Sequence, residues 1–93
     1  MPMEAQRPLA VWQCCTRAAQ WWIPIGATWV DYIPVVNVMI ETNARQGIWQ
    51  FDILFPTNDT VYNFNLFSMT QRNSKSKVER PLRRCLVPAV SRL

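Results

Sequence analysis

The chain has no histidine and only two glycines among its 93 residues. Without histidine it lacks the side chain that most often serves as a general base, a proton shuttle or a metal ligand. A glycine-rich phosphate loop, a nucleophile elbow and a cysteine–histidine metal cluster are likewise missing from the sequence. We therefore expect a protein that is not an enzyme, with no catalytic residue, no metal site and no cofactor.

The cysteines do not form a disulfide framework, because there are three of them and two, Cys14 and Cys15, are adjacent. Adjacent cysteines lack the spacing of a zinc site or of a thioredoxin-like motif. We expect these two residues and Cys85 to be free thiols or small buried hydrophobic residues.

Lysine, arginine and glutamate are absent from residues 21–40, WWIPIGATWVDYIPVVNVMI, and Asp31 is the one carboxylate there. Twenty helical residues rise about 30 Å, the thickness of the hydrocarbon core of a bilayer. We predict a single transmembrane helix at 21–40, kinked near Pro34, with Trp21 and Trp22 at one membrane boundary. Because a carboxylate at the bilayer centre costs about 2.5 to 3.5 kcal/mol, we expect Asp31 to be paired with another subunit.

The segments on either side of residues 21–40 are less apolar. We expect residues 1–20 to form an N-terminal helix or arm, and the composition of Leu9 to Gln20 favours a helix. Residues 41–69 are aromatic, and their apolar and polar side chains alternate on both sides of a turn at 56–59. This alternation predicts either a hairpin or an amphipathic helix on the membrane surface, and the sequence does not choose between them.

Basic charge is concentrated at the end of the chain. Residues 1–69 hold three basic side chains against five acidic ones, whereas residues 70–93 hold seven against Glu79 alone. Pro81 and Pro88 interrupt these last residues, so we predict an extended arm that docks on a partner. Acidic proteins and anionic lipids such as cardiolipin suit this arm, and RNA is the less favoured partner because the aromatic residues lie in other segments.

The sequence therefore predicts a mainly α fold, with a single kinked transmembrane helix, a short amphipathic or hairpin segment and an extended basic C-terminal arm. Tryptophan favours boundaries between apolar and wet surroundings, and the arm supplies positive charge. The expected contacts with partners or lipid are Trp21, Trp22, Trp29, Asp31, Arg72, Lys75, Lys77, Arg83 and Arg84.

A tryptophan-based spacing surrounds the apolar block. Trp22-Ile23-Pro24 precedes Thr28-Trp29, eleven mostly apolar residues lead to Glu41-Thr42, and an amphipathic stretch ends at Pro56. This pattern resembles the smallest accessory subunit of the mitochondrial cytochrome bc1 complex, respiratory complex III. The resemblance implies one transmembrane helix, no catalytic residue, and contacts with the Rieske iron–sulfur subunit and cytochrome c1.

These observations lead to one expected function and one alternative. We expect a non-catalytic accessory subunit of a respiratory complex in the mitochondrial inner membrane, with complex III as the first candidate. The alternative is a structural protein of a mitochondrial ribosome or of another ribonucleoprotein, in which residues 21–40 would form a buried core.

Overall fold

A computed structural model of the protein describes residues 9–16 and 28–88. In this part of the chain, one helix packs against a six-stranded sheet with the order β2-β1-β6-β5-β4-β3. All neighbouring strands are antiparallel. The elements are β1 (Leu9–Cys15), β2 (Trp29–Asp31), α1 (Pro34–Arg45), β3 (Gln50–Phe55), β4 (Thr60–Asn65), β5 (Thr70–Asn73) and β6 (Glu79–Val87).

The prediction of a mainly α fold with a kinked transmembrane helix at 21–40 is wrong. The described part of that block contains strand β2 and then the start of α1, which has 12 residues. Pro34 does not kink a helix but begins one, since the first N–H groups of a helix have no helical partner and a missing one costs nothing. No helix in the described ranges has the length and apolar character needed to cross a membrane.

Helix α1 lies inside the curve of the sheet. It contacts both β1 and β3, which stand near opposite ends of the strand order, so the sheet bends around it. Val36 and Ile40 are fully buried and four residues apart, which places them on the same helix face. They join a core cluster formed with Trp12, Tyr32, Ile53, Phe64, Leu66 and Leu82.

The aromatic segment forms the β3–β4 hairpin, one of the two structures that its alternation allowed. Ile53 is buried opposite Tyr62, and Phe64 is buried opposite Phe51 with the two rings stacked at a centroid distance of 5.3 Å. The hairpin is favoured over a surface helix because β4 also pairs with β5, which gives its buried face a continuous sheet. The predicted turn lies between the strands, where Asp59 has a φ of 55°.

The predicted extended arm at 70–93 is wrong over its described part, because it supplies strands β5 and β6. Strand β6 pairs with β1 on one side and with β5 on the other, which places it inside the sheet. Leu82 is buried, Arg83 is exposed, and Arg84 forms an ion pair with Glu41 of α1, so the strand hides an apolar side chain while its charges are solvated or paired. The helix expected from Leu9 to Gln20 is also wrong over Leu9–Cys15, which forms strand β1.

Candidate functional site

A cavity of about 440 Å³ lies on the concave side of the sheet, between the β3–β4 turn and the β5–β6 turn. All six strands contribute residues to its wall, and the loop before α1 contributes Tyr32. The four inner strands contribute Cys14 on β1, Arg80 on β6, Gln71 on β5 and Tyr62 on β4, and the two edge strands contribute Asp31 on β2 and Phe55 on β3. The volume falls within the range of small-molecule sites, about 300 to 1,000 Å³.

Strand register brings these side chains together. Gln71 is paired with Phe64 on one side and with Arg80 on the other. Directly paired residues of antiparallel strands project to the same face of a sheet. Because Phe64 is only 2% exposed and belongs to the core, Gln71 and Arg80 also project to the concave side.

Gln71 keeps hydrogen-bonding capacity inside the cavity wall. The Tyr32 hydroxyl donates to Gln71 Oε1 at 2.6 Å, and the Gln71 residue is only 5% exposed. Its Nε2 amide has no hydrogen-bond partner among the described residues. Leaving a buried polar group unpaired costs about 1 to 3 kcal/mol. The open amide therefore indicates a ligand with an acceptor oxygen at this point.

Arg80 supplies the positive charge of the cavity. Its Nη1 donates to the Thr16 backbone oxygen at 2.5 Å, which holds the guanidinium against the end of β1. A guanidinium has five N–H donors, so this contact leaves most of them available. A planar cation with free donors suits a phosphate or carboxylate group of a ligand.

Two other wall groups stay uncharged at neutral pH. Burial raises the pKa of the Cys14 thiol, which outweighs the hydrogen bond with Tyr32. Burial also raises the pKa of the Tyr32 hydroxyl, and nearby Cys14 adds to this effect. A neutral thiol is a poor nucleophile. Moreover, no cluster of three potential metal ligands occurs in residues 9–16 and 28–88. Cys14 and Tyr32 therefore offer the cavity neutral groups rather than a thiolate or a phenolate.

Aromatic rings form one side of the cavity. Phe55 and Tyr62 are in contact, with a centroid distance of 4.3 Å, and Phe55 meets the Tyr32 ring edge to face at 6.0 Å. The Tyr62 hydroxyl accepts hydrogen bonds from Asn58 at 3.0 Å and from Asn73 at 3.4 Å. These contacts fix a ring wall against which a flat group can stack.

The side chains predicted from the apolar block are dispersed. Trp21 and Trp22 lie outside the described residues. Trp29 is on β2, where the guanidinium of Arg83 lies 4.4 Å from its ring centroid. Asp31 lies at the edge of the cavity and accepts a hydrogen bond from Gln13 at 2.5 Å. The expectation that Asp31 sits at membrane depth is therefore wrong, because it belongs to a strand at the surface.

The predicted basic contacts are divided among four places, of which the position of Arg83 over Trp29 is one. Lys75 and Lys77 lie on the β5–β6 turn beside the cavity. Arg72 lines a second depression that does not share wall residues with the cavity. Arg84 is bound to Glu41. Only the two lysines are thus close to the cavity mouth without being part of its wall.

Sequence reasoning missed the residues that define the cavity, namely Cys14, Tyr32, Tyr62, Gln71 and Arg80. The nearest signal was the alternation of β4, which places Tyr62 and Phe64 on one face. Nothing local connects Gln71 with Tyr32, since 39 positions separate them. Strand pairing creates the site.

The family model of the WWE domain matches residues 10–84, which include almost all of the described sheet and the whole of α1. No curated protein matches the chain. The resemblance to the bc1 subunit is therefore wrong, because its tryptophan spacing runs through strand β2 and α1 and not through a membrane helix.

The family match also contradicts the functional expectations, both those drawn from this resemblance and those drawn from the apolar block and the basic segment. They are the respiratory accessory subunit with its ribonucleoprotein alternative, the inner-membrane location, and the Rieske, cytochrome c1 and cardiolipin contacts. The matched family instead consists of interaction domains.

Proposed function

Because the chain belongs to the WWE domain family of interaction domains, we propose that it is a non-catalytic module that binds poly-ADP-ribose. The family acts in ubiquitin and ADP-ribosylation pathways, and poly-ADP-ribose is a ligand of such domains. The binding site of this proposal is the cavity walled by Tyr32, Gln71 and Arg80.

The observation that carries the proposal is the buried Nε2 amide of Gln71, which faces the cavity without a described partner. The neighbouring Tyr32 hydroxyl occupies its carbonyl oxygen, so the amide is left as a donor. A ligand must therefore offer an acceptor oxygen at this depth. Ribose hydroxyls and phosphate oxygens both meet this requirement.

The other wall residues further restrict the chemical class of the ligand. Arg80 provides a guanidinium for a phosphate, and the rings of Phe55 and Tyr62 provide a wall for a flat base. Phosphate, ribose and adenine occur together in each repeat of poly-ADP-ribose. With a volume of about 440 Å³ the cavity encloses one segment of the polymer, while the rest continues outside.

Arg80→Gln tests the phosphate contact by titration of the full chain with purified poly-ADP-ribose. A hydrogen bond to a charged group is worth about 1.5 to 3 kcal/mol, so the affinity should fall about tenfold to a hundredfold. Arg83→Gln is the matched control, because Arg83 lies over Trp29 and does not line the cavity. It should bind like the wild type. If the folded wild-type chain does not bind the polymer, the proposal is wrong.

Two substitutions of Tyr62 distinguish base stacking by its ring from hydrogen bonding by its hydroxyl in the same assay. Tyr62→Phe keeps the ring and should keep most of the affinity, whereas Tyr62→Ala should lose about tenfold, since base stacking contributes about 1 to 3 kcal/mol. An RNA of similar length serves as the competitor that controls for charge alone. Displacement of the polymer by equal amounts of this RNA would contradict a specific site.

A further inference from the structure

Charged side chains of both signs lie around the cavity. On the β5–β6 turn, Ser76 lines the cavity and the exposed residues Lys75 and Lys77 flank it. Asp31 of β2 also lines the cavity, and Asp59 follows the wall residue Asn58 in the β3–β4 turn. An anionic chain that emerges from the cavity is therefore attracted to the lysines and repelled by the two carboxylates.

The basic side of the mouth has a fixed backbone. The Asn73 side-chain oxygen accepts hydrogen bonds from the backbone N–H groups of Lys75 at 2.8 Å and of Ser76 at 3.0 Å. The N–H of Lys77 donates to the Asn73 backbone oxygen at 2.8 Å, and Lys77 has a φ of 67°. The turn therefore fixes the backbone from which the two lysine side chains project beside the cavity.

Neither lysine is neutralised by the described part of the chain. The ion pairs there join Glu41 to Arg45 and to Arg84, far from this turn. Two exposed ammonium groups on a rigid turn can thus bind oxygen anions without first breaking an internal contact. This distinguishes them from Arg84, whose guanidinium is already bound to a carboxylate.

We propose that poly-ADP-ribose leaves the cavity across the β5–β6 turn, where Lys75 and Lys77 bind phosphates of the repeat next to the enclosed one. This inference rests on the proposed function of the cavity and assigns it a second, external subsite. The subsite recognises phosphate charge without reading a base, since no aromatic residue lies between Thr70 and Pro88. Oligomers long enough to reach the turn should consequently bind more tightly than a single ADP-ribose unit, which fills the cavity alone.

The test compares Lys75→Gln/Lys77→Asn with the wild type. Asparagine replaces Lys77 because it tolerates positive φ better than most residues, so the turn should be preserved. For an eight-unit oligomer at low salt, we expect the affinity to fall about threefold to tenfold. Binding of a single ADP-ribose unit should stay unchanged. The dependence of affinity on salt should also become shallower, because fewer counterions are released.

Arg72→Gln is the matched control, since it removes an exposed charge that lies away from the cavity. It should leave the length dependence intact. If the double variant binds the eight-unit oligomer as tightly as the wild type does, the external subsite is wrong while the cavity proposal stands. If the wild type binds neither the eight-unit oligomer nor the single unit, the proposed function itself is wrong. The two results differ, so failure of the subsite can be distinguished from failure of the proposed function.

Discussion

Glu41 fastens α1 to two strands of the sheet, and its replacement gives the sharpest test of how the fold is held. Its carboxylate accepts hydrogen bonds from the Trp12 indole on β1 at 2.9 Å and from the Arg84 guanidinium on β6 at 2.9 and 2.8 Å. Arg45, one helical turn later, adds a contact at 2.9 Å. Hydrogen bonding to Arg84 is the main cause that lowers the pKa of Glu41 to about 2.

The lowered pKa of Glu41 determines how much its ionised carboxylate stabilises the fold and how this stabilisation changes with pH. The difference from the ordinary value of 4.5 corresponds to about 3 kcal/mol at about 1.4 kcal/mol for each pH unit. Arg84 is 37% exposed and Arg45 is 74% exposed, so solvent screening reduces this stabilisation to about 1 to 2 kcal/mol. Because the folded state has the lower pKa, the stabilisation is complete above pH 4.5 and is lost as the pH falls towards 2.

Denaturant unfolding of the wild type and of Glu41→Gln measures how much the Glu41 carboxylate stabilises the folded state. At pH 7 the variant should have a free energy of unfolding lower by about 1 to 2 kcal/mol, and the difference should shrink as the pH falls towards 2. Glutamine keeps an acceptor for the buried Trp12 indole, whereas Glu41→Leu removes it and should cost about 1 to 3 kcal/mol more. An equal difference between wild type and Glu41→Gln at pH 7 and pH 2.5 would refute the reasoning.

Three further predictions concern stability and use the same unfolding assay. Phe64→Ala, at the centre of the core, should cost about 3 to 5 kcal/mol, and a loss below about 1 kcal/mol would contradict its full burial. Asn37→Ala should cost about 1 to 3 kcal/mol because the Asn37 amide bonds the Trp12 N–H and the Ala10 oxygen of β1, while Asn43→Ala on the exposed helix surface should not. Met69→Gly relieves a positive φ of 56°, which offsets up to about 1 kcal/mol, but it removes a side chain that packs against the core, so the variant should be less stable than the wild type. A variant at least as stable as the wild type would contradict this packing.

The apolar block shows why composition alone gave the wrong fold. Its helical part has Val36 and Ile40 fully buried, but Val35 and Val38 remain 55% and 61% exposed. A count of apolar residues treats these positions alike, although only those at helical spacing face the core. The alternation of apolar and polar residues in β3 and β4 was more informative. In a half-buried strand every second side chain faces the core, so the two faces can be read from the sequence.

The outer strands could not be derived from local sequence. β1 pairs with β6, and Trp12 lies opposite Arg84, a residue from the segment that composition described as a basic arm. Charged residues of a strand look the same in sequence as charged residues of a disordered tail. β6 is a strand because it pairs with β1 and β5. The sequence contains no local pattern that reveals this pairing.

The same contacts that fasten α1 also position the cavity. The Tyr32 N–H donates to the Trp12 backbone oxygen at 3.1 Å, and the Trp12 N–H donates to Asn37 of α1. Tyr32 is therefore held between β1 and the helix, with its hydroxyl against Gln71 Oε1. This hydroxyl keeps its proton because burial raises the pKa of Tyr32, so it acts as the donor and leaves the Gln71 amide directed to a ligand. With Cys14 also neutral, Arg80 is the basic residue that lines the cavity wall, and an anion that accepts hydrogen bonds satisfies the cation and the amide together.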